Sequence, residues 1–454
     1  QLRPAERYAE WRRLREGDAR ICVGPRSAVF APVAELGLLV VDEEHDSSYK
    51  HEGDPRYDAR EVAAERAGRA RALLLLGSAT PRAESAHRVA RVRLPSRIDG
   101  RPLPDVRVLD MREQVHGLHP LTVDALAAAR AQGSKAIVLL NRRGWSNFVS
   151  CRSCGRVWSC PECDVALVLH RASGELTCHH CGHRERAPVR CGACSSTSVA
   201  RHGAGTERVA HELAAALDGD GGFPVFRLDA DAASAESGAR EPLAGAGAAA
   251  VLERFGEASC GVLLGTQMVA KGHDFPDVSL GVVLDADATL RFPDFRAEER
   301  TFALIAQLAG RVGRGGAGEV LVQTIAPDAR SIVHAARHDS DGFVAGELER
   351  RRALRYPPFS TLIRVTCSAV SADRAREAAR AVRALLPEAW RGQGDTAVLG
   401  PAALFRLRGR ERQTLLVKAS DRREAVRAVG EAVSEAAGSG AHPRTTFSVD
   451  VEPH

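Results

Sequence analysis

Lysine, methionine and aromatic side chains are the scarce classes in this chain: four lysines, two methionines and 5% aromatics in 454 residues. Thin aromatic content leaves little surface on which nucleic-acid bases can stack. No apolar run approaches the ~18 residues of a membrane-spanning helix, so the sequence offers no such span. The phosphate-cradling loop G-x-x-x-x-G-K-[ST] is also missing. Without its lysine and backbone amides, a nucleotide's β- and γ-phosphates have no cradle in these residues. The first residue is Gln1, and the opening "QLRPAERYAEWRRLREGDAR" is a charged helical pattern rather than a signal peptide. The expectation is a chain entered partway through, by truncation or an incomplete gene model.

What is present suits several domains. The length favours two to four of them, and 44% hydrophobic content is ample for several cores. The formal charge of +5 is mild. Eight cysteines bound as thiolates to two zinc ions would bring it to roughly +1. Net charge therefore says little about nucleic acid. Arginines cluster in "RLRGRER", Arg406–Arg412, although an arginine excess reads equally as the mark of a GC-rich genome.

Over the first hundred residues, strand-like runs alternate with helical segments. "ARICVGPRSAVF", "GLLVVDEEH" and "ALLLLGSAT" read as strands, and "DAREVAAERAGRAR" between the last two reads as a helix. Such alternation predicts a parallel sheet wrapped by helices, with working residues at the carboxyl ends of the strands. Those ends are Asp42-Glu43-Glu44-His45 and Gly77-Ser78-Ala79-Thr80. A second α/β region runs through "SKAIVLLNRRG", the helix "GTERVAHELAAAL", and the strands "PVFRLDAD", "CGVLLGTQ", "LGVVLDAD" and "GEVLVQT". Residues 232–250 read as an Ala/Gly-rich surface insertion. After about Asp328 the pattern becomes strand, helix, strand, helix, strand, a small α+β domain. The expected divisions are 1–110, 111–150, 151–198, 199–328 and 329–454.

Eight of the eleven cysteines form four C-x-x-C pairs: Cys151/Cys154, Cys160/Cys163, Cys178/Cys181 and Cys191/Cys194. Each knuckle aims two sulfurs at one metal, and two knuckles close a tetrahedral shell with no position for water. The reading is two structural zinc sites whose binding supplies the folding free energy of a segment without a core of its own. A disulfide framework is the competing reading, and the cytosolic-looking remainder counts against it. Iron also occupies four-sulfur sites. His170, His179, His180 and His183 lie among the cysteines, but eight sulfurs already complete two shells. The knuckles pair either sequentially or by nesting, and the short gap from Cys154 to Cys160 favours nesting. Cys22, Cys260 and Cys367 read as ordinary core residues.

The acidic box carries a second chemistry. In a strand-end Asp-Glu pair, the Asp orders magnesium through water and the Glu polarises the attacking water. Three further boxes follow: "GSATP" at Gly77–Pro81, "GTQMVAKGHDFP" at Gly265–Pro276 and "QLAGRVGR" at Gln307–Arg314. The last reads as a helix presenting Gln307, Arg311 and Arg314, with Gly310 and Gly313 allowing close approach. Arginines so placed stabilise charge on a transferring γ-phosphate.

This order of boxes resembles superfamily 2 helicases, and the eight-cysteine insertion after "LLNRRGWSNFVSCRSCG" narrows the resemblance to the PriA family, the primosomal replication restart helicases. Other matching pieces are "RYDAREVA", "GAGTERVAHEL", "VVLDADATLRFPDFRAEERTF", "RYPPFS" and "LGPAALFRLRGRERQ". The resemblance spans Arg3 to Glu452. It implies two RecA-like lobes, the first partial, with a zinc-ribbon insertion and a C-terminal α+β domain that grips branched DNA. It also implies recognition of stalled replication forks, ATP-driven 3′ to 5′ unwinding and reloading of the replicative helicase.

Carried onto this chain, Asp42, Glu43, His45, Gln307, Arg311 and Arg314 would meet the nucleotide and magnesium, with Arg314 as the arginine finger. Ser78 and Thr80, with Gly77 to Thr80, would couple hydrolysis to DNA movement. Thr266, Gln267, Lys271 and Asp274 would face ATP and DNA. "SSYKHEGDPRY" would be a DNA-sensing loop offering Tyr49 and Tyr57. The outer knuckles, Cys151, Cys154, Cys191 and Cys194, would share one zinc; the inner ones, Cys160, Cys163, Cys178 and Cys181, the other. Expected partners are branched DNA, primosome and helicase-loading proteins and single-stranded DNA-binding protein, in a bacterial cytoplasm and away from membranes. The family's N-terminal DNA-binding region and phosphate loop have no counterpart here, so the chain as given is expected to hydrolyse ATP negligibly. The alternative is a non-enzymatic fork-binding and loading platform with an inactive motor. A zinc-ribbon transcription or RNA-processing factor would explain the cysteines but not the boxes.

Overall fold

The computed structural model describes residues 3–94, 96–97, 100–112, 114, 117–140, 148–151, 153–161, 165–170, 174–178, 181–201, 213, 223–228, 248–265, 275–392 and 394–453. Contacts divide the chain into two compact units, Gln1–Val89 with Glu452–His454, and Ala90–Val451.

The first unit opens with the helix Pro4–Glu16, as its charged pattern predicts. Its centre is a parallel pair, β1 (Leu38–Val41) and β4 (Leu73–Leu76), in the register Leu38↔Leu73 to Val41↔Leu76. Between them come the short hairpin strands β2 (Lys50–His51) and β3 (Tyr57–Asp58), and the helix Ala59–Ala70. Parallel strands require such a crossover, and a helix is its usual form. Asp58 caps the helix by accepting a hydrogen bond from the Arg60 backbone, 2.9 Å. Alternate residues of the pair, Leu38, Val40, Leu73 and Leu75, are all exposed. The strand expected over "ARICVGPRSAVF" does not form. Gly24-Pro25 interrupts it, Pro offers no N–H to a ladder, and Arg26–Phe30 instead winds into a 3-10 turn.

The second unit holds six parallel strands in the order β12-β13-β6-β14-β15-β5. They are β5 (Asp105–Asp110), β6 (Lys135–Leu139), β12 (Val225–Leu228), β13 (Gly261–Gly265), β14 (Val278–Val283) and β15 (Glu319–Thr324). Every residue of β6 and β13 is buried, as expected of central strands covered on both faces. β5 pairs with β15 from Asp105↔Glu319 to Asp110↔Thr324. The boundary expected at 110/111 is therefore corrected: those six residues complete the second lobe's sheet, and the contact division falls after Val89. The insertion carries β7 (Val149–Cys151), β8 (Val168–His170), β9 (Glu175–Thr177), β10 (Arg184–Arg186) and β11 (Val199–Arg201). β7 pairs antiparallel with β11, and β8, β9 and β10 form a separate small sheet.

The helix Ala297–Arg311 packs on this sheet, and the helices Arg330–Ala336 and Ser340–Ala353 pack beyond it. Phe302 stacks on Phe343 at 4.5 Å. Residues 330–353 thus belong with the lobe rather than with the terminal domain, which the expected boundary at 328/329 had given them. The terminal domain proper is a four-stranded antiparallel sheet ordered β17-β18-β16-β19, with its two helices, Ala372–Leu385 and Arg422–Gly438, in the alternation β-α-β-β-α-β. Its strands are β16 (Thr361–Ala369), β17 (Ala397–Leu407), β18 (Arg410–Ala419) and β19 (Thr446–Val451). Ile363, Val365, Val382, Leu415, Val417 and Val429 form its core together with Cys367. Of the three isolated cysteines, Cys367 is buried as expected and Cys260 is half-buried, whereas Cys22 is exposed. No helix among the described residues is long and apolar enough to cross a membrane.

Candidate metal centres and nucleotide-facing boxes

The sulfurs of Cys151, Cys154, Cys191 and Cys194 all lie within 4.8 Å of one another. Cys151 and Cys194 are 3.6 Å apart and Cys154 and Cys191 3.7 Å apart. A tetrahedron with metal–sulfur bonds of ~2.3 Å has edges of ~3.8 Å, so these four fit a zinc shell. Cys160, Cys178 and Cys181 gather in a second cluster, with Cys160 and Cys181 3.6 Å apart; Cys163 lies outside the described residues. The outer knuckles thus share one cluster, and Cys160, Cys178 and Cys181 of the inner knuckles share the other.

A repeated local geometry builds the knuckles. The residue after the second cysteine takes a left-handed conformation at Gly155 (φ 73°), Gly182 (φ 85°) and Ser195 (φ 58°). Its N–H closes onto the first cysteine's carbonyl, at 2.9, 3.0 and 2.8 Å respectively. Glycine suits two of these positions because it adopts positive φ without a Cβ clash. The turn also directs N–H groups at sulfur: Ala193 donates to Cys191 and His183 to Cys181, both at 3.4 Å. The N–H groups of Ala193 and Cys194 lower the Cys191 thiol to about 6. Cys194 is favoured as thiolate by the Ser196 N–H, yet desolvation and three neighbouring sulfurs push it up to about 12. Such a set ionises fully only around a cation.

In the first unit, the acidic box caps β1. Glu43 has φ 48°, a left-handed conformation uncommon outside glycine and a frequent mark of working positions. Its backbone N–H donates to Asp42 Oδ1 at 3.0 Å, and its own carboxylate is exposed. His45 Nδ1 lies 2.7 Å from Ser78 Oγ and 3.4 Å from Glu43 Oε2. Ser78 Oγ also accepts from the Thr80 N–H at 3.0 Å, so His45, Ser78 and Thr80 are joined. Sequence reasoning left the box's third acid without a role. Glu44 is 1% exposed, accepts from the Arg82 N–H at 2.8 Å and from Ser85 Oγ at 2.7 Å, and is raised in pKa by burial. It ties the box to the segment after "GSATP", and only its burial, invisible in the residue string, identifies it.

Both tyrosines of the expected sensing loop are already engaged. Tyr49 donates from its hydroxyl to the Asp42 carbonyl at 2.6 Å, and Tyr57 packs edge-on against Phe30 at 4.9 Å.

In the second unit, Gln307 and Arg311 stand one turn apart on the helix Ala297–Arg311. Arg97 caps that helix end, donating to the carbonyls of Ala309 and Gly310 at 3.1 Å. Arg314 follows on an exposed turn and donates to the Gly310 carbonyl at 3.0 Å. Thr266, Gln267, Lys271 and Asp274 lie outside the described residues.

Three family models match: the Primosomal protein N C-terminal domain over 352–454, the PriA DNA helicase Cys-rich region (CRR) domain over 160–186, and the Helicase conserved C-terminal domain over 207–316. The replication restart protein PriA of Bacillus subtilis is 40% identical over 430 residues, covering 92% of this chain and 52% of that protein. The chain belongs to the PriA family. PriA of Synechocystis sp. is 37% identical over 440 residues, covering 92% of this chain and 51% of that protein. PriA of Treponema pallidum is 39% identical over 427 residues, covering 92% and 63%. The chain spans about half the length of the first two relatives. Membership brings a helicase C-terminal domain and a zinc-ribbon Cys-rich region, whose matched residues include the Cys160–Cys181 cluster.

Proposed function

We propose that this chain serves, within the whole protein, an ATP-dependent DNA helicase of 3′ to 5′ direction that acts at stalled or branched replication forks and helps reload the replicative helicase. The observation that carries the reading is the joined pair of strand ends: Glu43, just beyond β1, reaches Ser78, just beyond β4, through His45, and Ser78 in turn accepts from the Thr80 N–H. An Asp and a Glu at the mouth of a parallel sheet suit a magnesium-bound nucleotide and its attacking water. Magnesium-ATP would supply the phosphoryl bond. Asp42 would hold the ion's water, exposed Glu43 would orient the attacking water, and His45–Ser78 would pass the change to the "GSAT" segment. Gln307, Arg311 and Arg314 would meet the phosphates from the second lobe. The zinc ribbon and the terminal α+β domain would hold fork DNA and loading partners, and single-stranded DNA-binding protein would be a neighbour there.

Glu43→Gln in the whole protein tests this. Turnover should fall by a factor of about a thousand or more while ATP and fork binding stay near wild type. Retained turnover would overturn the assignment. A wild-type protein that binds forks but never hydrolyses ATP would point instead to a non-enzymatic loading platform.

A further inference from the structure

The second compact unit opens with a connector, residues 90–104, that leads into β5, and two of its arginines grip the end of the helix Ala297–Arg311. That helix stops abruptly. Val312 is extended, and Gly313, at φ 73°, turns away and donates its N–H to the Val278 carbonyl at 2.9 Å. The final carbonyls of a helix have no partner within it and carry the negative end of its dipole. Arg97 Nη2 meets them, 3.1 Å from the carbonyls of Ala309 and Gly310 and 3.4 Å from that of Val312. Arg101 Nη1 donates to the Arg314 carbonyl. His338 Nε2 lies 2.9 Å from the Pro104 carbonyl and fixes the point where the connector enters β5.

The Gly310 carbonyl takes a second donor, Arg314 Nε at 3.0 Å. A carbonyl oxygen has two lone pairs, so Arg97 and Arg314 bond it together. The guanidinium of Arg314 is therefore aimed by an oxygen that Arg97 holds, while Arg101 holds the backbone of the same residue. Arg314 is exposed, and a long exposed side chain spreads over many rotamers unless something orders it. Order matters at a reacting phosphate, where a displacement of about 1 Å can cost about a hundredfold in rate.

We infer that Arg97 is a positioning residue for Arg314: through the Gly310 carbonyl it sets the direction of the guanidinium that meets the transferring phosphate. The inference rests on the motor reading above and adds to it a residue outside every sequence box, 213 positions before Gly310. Arg97 acts only through the helix end; Arg314 makes the contact.

The test is steady-state ATP turnover of the whole protein with a saturating DNA fork, for wild type, Arg97→Met, Arg97→Lys, Arg314→Ala and the two double variants. Arg314→Ala should lower kcat by about a hundredfold or more. Arg97→Met should lower it at least about tenfold, with the KM for ATP within about threefold of wild type. In the Arg314→Ala background the same change should cost less than about twofold further, because the side chain it positions is gone. Arg97→Lys keeps a charge and donors for the same carbonyls, so its loss should be only about threefold and should likewise vanish without Arg314. Wild-type kcat in folded Arg97→Met overturns the inference. So does a fall that persists undiminished in the Arg314→Ala background, which marks a role in the fold alone. Should Arg97→Met fail to fold, Arg97→Lys decides by the same comparison. If Arg314→Ala turns over ATP like wild type, or wild type never hydrolyses it, the motor reading itself fails, and the inference with it.

Discussion

The rings of Phe295 and Tyr356 lie face to face, 4.4 Å between centres and 3° between planes. Lys418 Nζ sits 4.0 Å from the Tyr356 ring centre and Arg351 sits 5.0 Å from that of Phe295. This column joins the loop before the helix Ala297–Arg311 to β18 of the terminal domain. Phe295→Ala would leave a cavity in the joint and take away the ring face against Arg351. The expected loss is about 3–5 kcal/mol in chemical denaturation. A loss under about 1 kcal/mol would mean that the column contributes little.

Arg351 is fully buried and pairs with Glu347 at 2.7 Å and Glu299 at 2.9 Å. Burial raises the pKa of Glu347, but the hydrogen bond from Arg350 and the charges of Arg351 and Arg350 outweigh it, so the group sits below the usual range. A depressed folded pKa stabilises the fold above about pH 4.5 and loses that contribution as pH falls. Glu347→Gln should cost about 3–5 kcal/mol at neutral pH, because it takes one of two carboxylate partners from a buried cation. The variant should also lack this part of the acid loss, as melting curves from pH 7 to pH 3 would reveal.

Asp285 behaves with the opposite sign. Burial, and then the charge of Asp287, push it up to about 7. Asp287 is buried beside it and accepts from the Ile325 N–H at 2.8 Å, with Arg291 the nearby cation. A raised folded pKa means that the folded state holds its proton longer. Stability from this group therefore declines as pH rises from about 4 towards 7. Asp285→Asn should remove the decline, so its melting temperature should gain on wild type across that interval. A constant difference between the two proteins would refute the assignment.

Gly281 lies in β14 beneath the helix that carries Arg311. A Cβ there would stand 2.9 Å from Val312 Cγ2 and 3.0 Å from Leu308 Cγ. Gly281→Ala should lift that helix end and cost about 1–3 kcal/mol by overpacking. If Arg311 meets the nucleotide as proposed, the KM for ATP should rise with it; steady-state kinetics on the whole protein would measure both.

Metal analysis should find two zinc ions per chain in the native protein, and Cys160→Ser should leave one. Chelation should unfold the insertion, since binding of structural zinc is worth about 10–16 kcal/mol at neutral pH and supplies its folding free energy. A variant that keeps both ions would show that Cys160 is not a ligand.

Much of this was legible in the residues because its signals are local. C-x-x-C spacing and "DEEH" after an apolar run each announce themselves within a few positions, whereas "QLAGRVGR" is helical only as far as Arg311, and Arg314, expected on the helix, lies beyond its end. Signals that depend on remote partners were not. β5 reads as a strand only beside β15, and β17 is broken in sequence by Gly400-Pro401, yet pairs with β18 through a register shift between Leu399 and Ala402. Glu44 and Arg60 look like ordinary charged residues of a loop and a helix. Only burial and the bonds to Arg82, Asp58 and backbone carbonyls set them apart. "ARICVGPRSAVF" misled in the other direction, since β-branched residues raise a strand signal that the Gly-Pro break then cancels.

The nested sulfur clusters have a mechanical side. The chain enters the insertion along β7 and leaves along β11, and these strands run antiparallel beside the outer cluster. Tension applied through the two ends therefore loads the Cys151–Cys194 cluster first, while the Cys160–Cys181 cluster feels none of it until the outer one has parted. The inner cluster is thus sheltered behind the outer one, as a buckle shelters the strap folded inside it.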